Sequence, residues 1–225
     1  WRAGIPVVLC TGRWFGGVNS AATAFSLPDS APVICCSGGM IARVSGETLF
    51  TFPIPRDQAR LAYELTRDIG LLFLGFADKM LYVGEFGENL GKVIDYSCHF
   101  GKVRREVHLT PEEFGRLPLD DLLKFEVYSK DADALERYRA RLEKTDLNIC
   151  RCGTSIEISA RGMGKGAALK RLAASMGVDP ADVMAFGDSG NDVDLLRSVG
   201  WPVAVGNAAE ELKAVARIIA PDAAE

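Results

Sequence analysis

Unbroken runs of apolar residues recur along the chain and mark its first structural elements. They cover residues 7–10, 33–36, 183–186, 203–205 and 217–220. A strand with one solvated face alternates apolar and polar residues, whereas a strand of a parallel sheet is buried on both faces and apolar throughout. The pattern therefore predicts strands of a parallel sheet that are covered on both sides.

Helical stretches separate the last three of these runs. Apolar residues recur at helical spacing over 166–176 and 192–199, and a short alanine-rich segment covers 208–216. Strands that alternate with helices of about ten residues are typical of βαβ units. The predicted fold class is α/β, with a doubly wound, Rossmann-like parallel sheet.

The middle of the chain follows a different pattern. Thr110, Pro111 and Glu113 have the form of an N-cap, a first-turn proline and a capping-box glutamate. Further elements are predicted as a strand over 123–128, a helix over 132–142 and a hairpin from 147–152 and 155–158. This mixture indicates an α+β module inserted into the α/β domain. Residues 1–54 and 159–225 are assigned to the discontinuous core and 55–158 to the insertion.

Composition narrows the class of protein. The 225 residues are 48% hydrophobic and 25% charged, with a net charge of −4. There is no basic excess to neutralise a nucleic-acid backbone, and no apolar run approaches the roughly 20 residues of a membrane span. The six cysteines lack the usual zinc spacing and are too few for a disulfide scaffold. We therefore predict reduced thiols in a cytoplasmic protein that binds neither nucleic acid nor membrane.

The predicted strands end in small polar residues beside glycine. Thr11, Gly12 and Arg13 follow the first run, Ser37 the second, Asp188 the third and Asn207 the fourth. In an open α/β sheet, ligands bind beyond the carboxyl ends of the strands. A single strand end of this kind is explained by an ordinary strand-to-helix turn. Four such strand ends together predict a polar, glycine-lined pocket for a small anion.

Two segments contain side chains that predict a specific ligand. Asp188 and Asp192 bracket a turn, with Asn191 beside the second carboxylate. Grouped carboxylates of this kind bind Mg²⁺, and helix capping is the alternative explanation. Lys165 lies in a Gly-Met-Gly-Lys-Gly run before a helix, where it can hold a phosphate oxygen. The alternative is a solvated surface charge.

These segments resemble a known family. Thr-Gly-Arg at 11–13, Gly-Met-Gly-Lys-Gly at 162–166 and Gly-Asp-Ser-Gly-Asn-Asp at 187–192 are similar to motifs two, three and four of haloacid dehalogenase-type phosphatases. The insertion stands where the Cof-type subfamily, subclass IIB, has its α+β cap, and Gly-Asn-Ala at 206–208 resembles a strand end of that subfamily. The resemblance implies Mg²⁺-dependent hydrolysis of a small phosphomonoester through a phosphoaspartyl enzyme.

The resemblance also implies a role for each matching residue. Asp188 would ligate Mg²⁺, and Asp192 would hold the water shell of the metal or position Lys165. Thr11, Lys165 and the Gly12 amide would bind the transferring phosphoryl group, while Asn191 would orient the phosphate or the lysine. Arg13, Ser37 and Asn207 complete the predicted phosphate site, with a surface salt bridge as the alternative for Arg13. The predicted catalytic residues are thus Thr11, Lys165, Asp188 and Asp192.

Two departures from the family pattern affect these expectations. Ser37 stands where the family usually has asparagine. The family nucleophile and its acid/base lie in an Asp-x-Asp run after the first strand, but no aspartate precedes Asp29 here. Without a nucleophile no covalent intermediate forms. The expectation is a piece of a longer phosphatase, inactive and poorly stable alone.

Three functions are compatible with the sequence. The first is a phosphatase acting on a small phosphorylated metabolite, with sugar phosphates, pyridoxal phosphate and flavin mononucleotide all left open. The second is a phosphate-ligand binder or sensor that retains the site without catalysis. The third, an interaction module that uses the cap, rests on apolar stripes that are normally core. The sequence leaves the oligomeric state open.

Overall fold

A computed structural model describes residues 4–78, 80–84, 106–117 and 119–222. Contacts within the chain form two compact units, Trp1–Arg161 and Gly162–Glu225. The predicted grouping of residues 1–54 with 159–225 stays a prediction. Within the described parts of the chain, no helix has the length and apolar character needed to cross a membrane.

The first unit contains a small mixed sheet. Its strands are β1 (Leu9–Cys10), β2 (Pro32–Cys35), β3 (Met40–Arg43) and β4 (Thr48–Thr51), in that spatial order. β1 and β2 are parallel, as predicted, whereas β3 and β4 are antiparallel additions that the apolar pattern did not predict. A short helix, α1 (Asn19–Ala24), connects β1 to β2.

A larger sheet in the same unit has the spatial order β7-β6-β5-β8-β10-β9. Its strands are β5 (Leu72–Ala77), β6 (Leu81–Gly84), β7 (Glu106–Leu109), β8 (Leu122–Tyr128), β9 (Leu147–Cys152) and β10 (Ser155–Ala160). The associated helices are α2 (Arg56–Ile69), α3 (Pro111–Gly115) and α4 (Ala132–Leu142). The predicted strand, helix and hairpin correspond to β8, α4 and β9–β10 and are confirmed.

An aromatic core joins these helices to the sheet. Tyr63 of α2 and Phe114 of α3 contact Phe73 of β5 edge to face, and Phe73 lies parallel to Phe125 of β8 with ring centroids 5.4 Å apart. All four side chains are essentially excluded from solvent. Burial of this aromatic area fixes the helices on one face of the sheet. The other face contributes Leu74 and Phe76 to a second hydrophobic core and also carries polar groups.

Local signals explain where the helices begin and end. The Thr110 hydroxyl accepts from the Glu113 amide, and Glu113 reaches back to the Thr110 amide, so the predicted capping box is confirmed. The helix α2 was missed by the apolar pattern, although it starts after Pro55 and stops at Gly70, which is left-handed (φ 75°). A glycine at that position closes a helix without a steric penalty.

The second unit is a parallel βα arrangement. Strands β11 (Met184–Gly187), β12 (Trp201–Ala204) and β13 (Ile218–Ile219) lie side by side in that order. The helices are α5 (Lys165–Met176), α6 (Val193–Leu196) and α7 (Glu210–Lys213). The predicted βαβ pattern is confirmed.

One expectation about this unit is wrong. The unbroken apolar runs predicted strands buried on both faces, but side chains of β11 alternate between buried Ala185 and exposed Met184 and Phe186. Phe186 is 60% exposed. The helices therefore cover one face of β11 and leave the other open.

Candidate functional site

A buried lysine organises the site in the second unit. Lys165 is the first residue of α5, and its side chain is only 6% exposed. Its Nζ donates to Asp192 Oδ1 at 2.6 Å and to Asn191 Oδ1 at 3.1 Å. An ammonium has three N–H donors. The contacts of the described residues therefore leave one donor of Lys165 for a ligand.

Asp192 is fully engaged in holding this arrangement. Its Oδ1 binds Lys165, and its Oδ2 accepts from the backbone amides of Asp188 and Ser189 at 3.2 and 3.3 Å. The Ser189 hydroxyl donates to Asn191 Oδ1 at 2.8 Å. Asp192 and Asn191 thus belong to one network that fixes the ammonium of Lys165.

Glycine makes the close approach in this network possible. A Cβ placed on Gly187 would lie 2.6 Å from Cβ of Asp192, and one placed on Gly166 would lie 2.3 Å from the carbonyl oxygen of Asp194. Both distances are shorter than van der Waals contact. The glycines before Asp188 and after Lys165 are therefore needed for packing in the turn and at the start of α5.

Asp188 and Asn207 lie at the ends of neighbouring strands. β11 and β12 are parallel; Asp188 directly follows β11, and Asn207 is the third residue after β12. Both residues are exposed. The Ala209 amide donates to the Asp188 carbonyl at 3.1 Å, which ties the two strand ends together. The predicted residues Lys165, Asp188, Asn191, Asp192 and Asn207 thus all lie in this unit.

The donor chemistry of these residues fits a magnesium ion through Asp188. Mg²⁺ keeps several waters and takes one or two carboxylates together with phosphate oxygens. Asp188 offers an exposed carboxylate, whereas both oxygens of Asp192 already accept hydrogen bonds. Among the described residues, no group of three or more His, Cys, Asp or Glu side chains is arranged to hold a metal. Water and phosphate oxygens would have to supply the remaining ligands.

The remaining predicted residues form a second group in the first unit. Thr11 continues β1, and its carbonyl accepts from the Ser37 amide at 3.2 Å. The Arg13 amide donates to Oγ1 of Thr11 at 3.2 Å, and the Arg13 carbonyl accepts from the Cys36 amide at 2.8 Å. The structure therefore brings Thr11, Gly12, Arg13 and Ser37 together at the ends of β1 and β2.

The backbone at the end of β2 is strained. Cys36, Ser37 and Gly38 have φ values of 51°, 54° and 98°, all in the left-handed region. Such a conformation costs of the order of 1–3 kcal/mol for a residue other than glycine, and it is common at ligand sites. The hydrogen bonds from this segment to β1 hold it in place, so the predicted phosphate contact at Ser37 lies on a rigid, preorganised turn.

The sequence did not predict a polar cluster that lies beside this turn. Lys124 and Glu126 of β8 and Glu157 of β10 project from the sheet face opposite the aromatic core. Lys124 Nζ donates to Glu126 Oε2 at 2.9 Å, to Glu157 Oε1 at 3.3 Å and to the Gly12 carbonyl at 3.0 Å. The Ser37 hydroxyl donates to Glu157 Oε2 at 2.6 Å. We call Lys124, Glu126 and Glu157 the lysine–glutamate cluster.

Electrostatics keep Lys124 charged despite its burial. Loss of solvent alone would lower the pKa of Lys124, but the adjacent carboxylates of Glu126 and Glu157 raise it well above its ordinary value. The ammonium also lies 4.5 Å from the centre of the Phe76 ring, where a cation is favoured. The cluster therefore contains one cation and two carboxylates in a site that is almost closed to solvent.

Comparison with known proteins identifies the family. The model of the haloacid dehalogenase-like hydrolase family matches residues 2–225. The chain belongs to this family. A phosphoglycolate phosphatase of Methanothermobacter thermautotrophicus is 33% identical over 215 residues, which cover 96% of this chain and 76% of that protein.

Solved structures of haloacid dehalogenase-like hydrolases have the same fold. A Bacillus subtilis member is 24% identical, with a TM-score of 0.83 over 98% of this chain and 84% of its own. A sugar phosphatase of subclass IIB is 20% identical, with a TM-score of 0.82 over 98% and 81% of the two chains. The predicted fold class, an α/β haloacid dehalogenase core with an inserted α+β cap, is confirmed.

Proposed function

We propose that this hydrolase cleaves small phosphomonoesters with the help of Mg²⁺, through a phosphoaspartyl intermediate in the complete protein. The observation that carries the proposal is the buried ammonium of Lys165, held by Asp192 and Asn191 with one donor left over. A desolvated, preoriented cation stabilises the charge that gathers on phosphoryl oxygens in the transition state. Membership of the family and the names of its phosphatase relatives support the same chemistry.

Each residue has a defined task in this proposal. Lys165 and the hydroxyl of Thr11 bind the phosphoryl group together with the Gly12 amide, and Asn191 orients the lysine or a phosphate oxygen. Arg13, Ser37 and Asn207 are proposed as further phosphate contacts. For Ser37 the contact requires its hydroxyl to turn away from Glu157, to which it donates in this structure. Asp188 is the proposed ligand of Mg²⁺, which neutralises phosphoryl charge when bound.

Asp192 acts as a positioning residue in this scheme. The same carboxylate binds Lys165 and the two backbone amides that follow β11. Replacement by asparagine removes the charge and converts one oxygen into a donor that cannot accept from Lys165. We therefore propose that Asp192 sets the direction of the ammonium without contacting the substrate.

The test is Mg²⁺-dependent release of phosphate from a panel of phosphomonoesters. Because the phosphoaspartyl step needs an aspartate nucleophile, the product of the complete gene is assayed beside the 225 residues. Lys165→Met is expected to lower kcat by about 10²–10³-fold or more, as for loss of one transition-state donor. Lys170→Met, an exposed lysine on the same helix, is the matched control and keeps full activity.

A second pair of variants tests whether Asp188 binds the metal ion. Asp188→Asn is expected to abolish the Mg²⁺-dependent rate, whereas Asp182→Asn, an exposed aspartate before β11, leaves it unchanged. Turnover that survives Asp188→Asn would refute the assignment of the metal ligand. Phosphate binding without hydrolysis by the complete protein would instead support the phosphate binder or sensor.

A further inference from the structure

Two cysteines near the end of β9 have thiols in contact with each other. Cys150 and Cys152 are two residues apart on one strand, so their side chains lie on the same face of the sheet. Their Sγ atoms are 3.7 Å apart, and both cysteines are half-buried and reduced. Neither residue takes part in the proposed phosphatase chemistry. The strand therefore presents a dithiol that has no assigned role.

The pair lies on the sheet face that carries the lysine–glutamate cluster. Cys150 is the register partner of Glu157, and Cys152 is the partner of Ser155. Partners across two antiparallel strands project to the same side of the sheet. Ile156, which alternates with them along β10, belongs to the aromatic core on the other side. The thiols thus lie away from the aromatic core and keep partial contact with solvent.

The geometry of the strand places the pair at the limit for a disulfide. A disulfide usually joins Cα atoms about 4.4–6.8 Å apart, and residues two apart on a strand are separated by about 6.4–6.8 Å. β9 is the last strand in the order of its sheet, with β10 as its neighbour. Gly153, which is left-handed (φ 58°), directly follows Cys152 in the hairpin turn. The end of β9 can therefore shorten slightly while its pairing with β10 is the main restraint.

A disulfide at this limit is strained. Strained or exposed disulfides are reduced more easily than structural ones, and they are the type found in regulatory and catalytic pairs. In proteins kept under reducing conditions, disulfides are usually transient for the same reason. The geometry therefore suits a reversible bond better than a permanent cross-link.

The two thiols are not equivalent. The hydrogen bond with Cys150 raises the pKa of Cys152, and burial and the nearby carboxylates of Glu157 and Glu126 act in the same direction. Because the thiolate is the nucleophile, Cys152 reacts more slowly than an ordinary thiol. Cys150 is therefore assigned as the attacking residue and Cys152 as the resolving residue.

We propose that Cys150 and Cys152 form a dithiol site that exchanges with small disulfides and closes reversibly to an intrachain disulfide. The Cys150 thiolate attacks one sulfur of the small disulfide, forms a mixed disulfide and releases the other half as a thiolate. Cys152 then loses its proton, attacks Sγ of Cys150 and displaces the second half. The two cysteines lose two electrons and two protons, and the small disulfide is reduced to two thiols.

Peptide mapping tests this proposal, because trypsin cleaves between the two cysteines. Cleavage after Lys144, Arg151 and Arg161 places Cys150 in peptide 145–151 and Cys152 in peptide 152–161. The product of the complete gene is equilibrated with oxidised or reduced glutathione, quenched with acid, unfolded with N-ethylmaleimide and digested. The disulfide-linked pair of peptides is expected to be about tenfold more abundant in the oxidised sample. If the closed ring resists cleavage at Arg151, the uncut and unalkylated peptide 145–161 reports the same bond.

Variants test the order of attack. Cys152→Ser is expected to accumulate a mixed disulfide between Cys150 and glutathione, because the resolving thiol is gone. Cys150→Ser is expected to form about threefold less mixed disulfide in the same time, since the remaining thiol keeps its proton more firmly. Cys10→Ser, a half-buried cysteine of β1, is the matched control and keeps the linked pair of the wild type. The wild-type digest reports the bond directly, so the main test does not depend on the folding of a variant.

Three results would count against the proposal. Absence of linked peptides from the oxidised sample would overturn it, even if both cysteines carried glutathione. Linked peptides that persist in reduced glutathione would refute the reversible exchange. Equal mixed disulfide in Cys150→Ser and Cys152→Ser would overturn the assigned order of attack. None of these measurements requires phosphate binding or turnover, so they are independent of the proposed function.

Discussion

Removal of the lysine from the lysine–glutamate cluster is expected to cost much of the stability of the first unit. Lys124→Met keeps the length of the side chain but leaves Glu126 and Glu157 opposite each other without a counter-ion. Lys124 and the two glutamates are 3%, 8% and 13% exposed, so solvent screens them weakly. Breaking a buried ion pair by removing one partner costs about 3–5 kcal/mol. That is a large share of the 5–15 kcal/mol typical of a folded protein.

The pH dependence of this loss follows from the charges. In the wild type the pKa of Lys124 is raised, so the stability that it contributes is fully present below its ordinary pKa of 10.5 and is lost only as the pH rises through the higher folded value. The charge on Lys124 is therefore the same at pH 6.0 and at pH 7.5, and the deficit of the variant is expected to be the same at both.

Urea unfolding at both pH values, followed by fluorescence and circular dichroism, measures the deficit. Lys144→Met replaces an exposed lysine after α4 and is expected to change the unfolding free energy by no more than about 0.5 kcal/mol. A loss below 1 kcal/mol for Lys124→Met at pH 7.5 would contradict the argument. So would a deficit that differs between the two pH values.

Two further predictions concern packing and capping in the same unit. Gly84→Ala would place a methyl group 1.9 Å from the ring of Phe73, so we expect a loss of at least 1–3 kcal/mol in urea unfolding, while Gly115→Ala, with its nearest contact at 3.5 Å, is tolerated. Thr110→Ala removes the capping box of α3 and is expected to speed amide exchange in that helix. The pKa of Glu113 is lowered by hydrogen bonds from the Thr110 backbone and hydroxyl, so the box contributes above the ordinary value of 4.5 and loses its effect as the pH falls through the lowered pKa. An exchange difference that does not shrink at all as the pH is lowered below 4.5 would refute this account.

The elements that sequence patterns predicted well carry strong local signals. The helix α4 has the predicted bounds, because Asp131 caps its first turn and its apolar residues recur at helical spacing. The hairpin β9–β10 and the parallel strands β11–β13 were likewise visible as apolar runs between turn residues. In each case the determining interactions lie within about a dozen residues, which is the range that a periodic pattern samples.

The lysine–glutamate cluster depends on longer-range register. Lys124, Glu126 and Tyr128 alternate along β8, a pattern that predicts one polar face without saying whether it meets solvent or a cleft. Whether this face meets solvent or a cleft depends on residues that are distant in the chain. Glu157, which completes the cluster, is 120 residues from Ser37, its hydrogen-bond donor. The order of strands β5-β8-β10 is needed before these groups can be placed together.

Two buried lysines among the described residues differ in what their ammonium groups can still bind. Lys165 meets two acceptors among the described residues and retains a donor, whereas Lys124 meets three and retains none. The first ammonium suits a dianionic phosphoryl group, and the second cancels part of an excess of carboxylate charge. Because Lys165 retains a donor, its removal is expected to lower activity. Because Lys124 retains none, its removal is expected to lower stability instead.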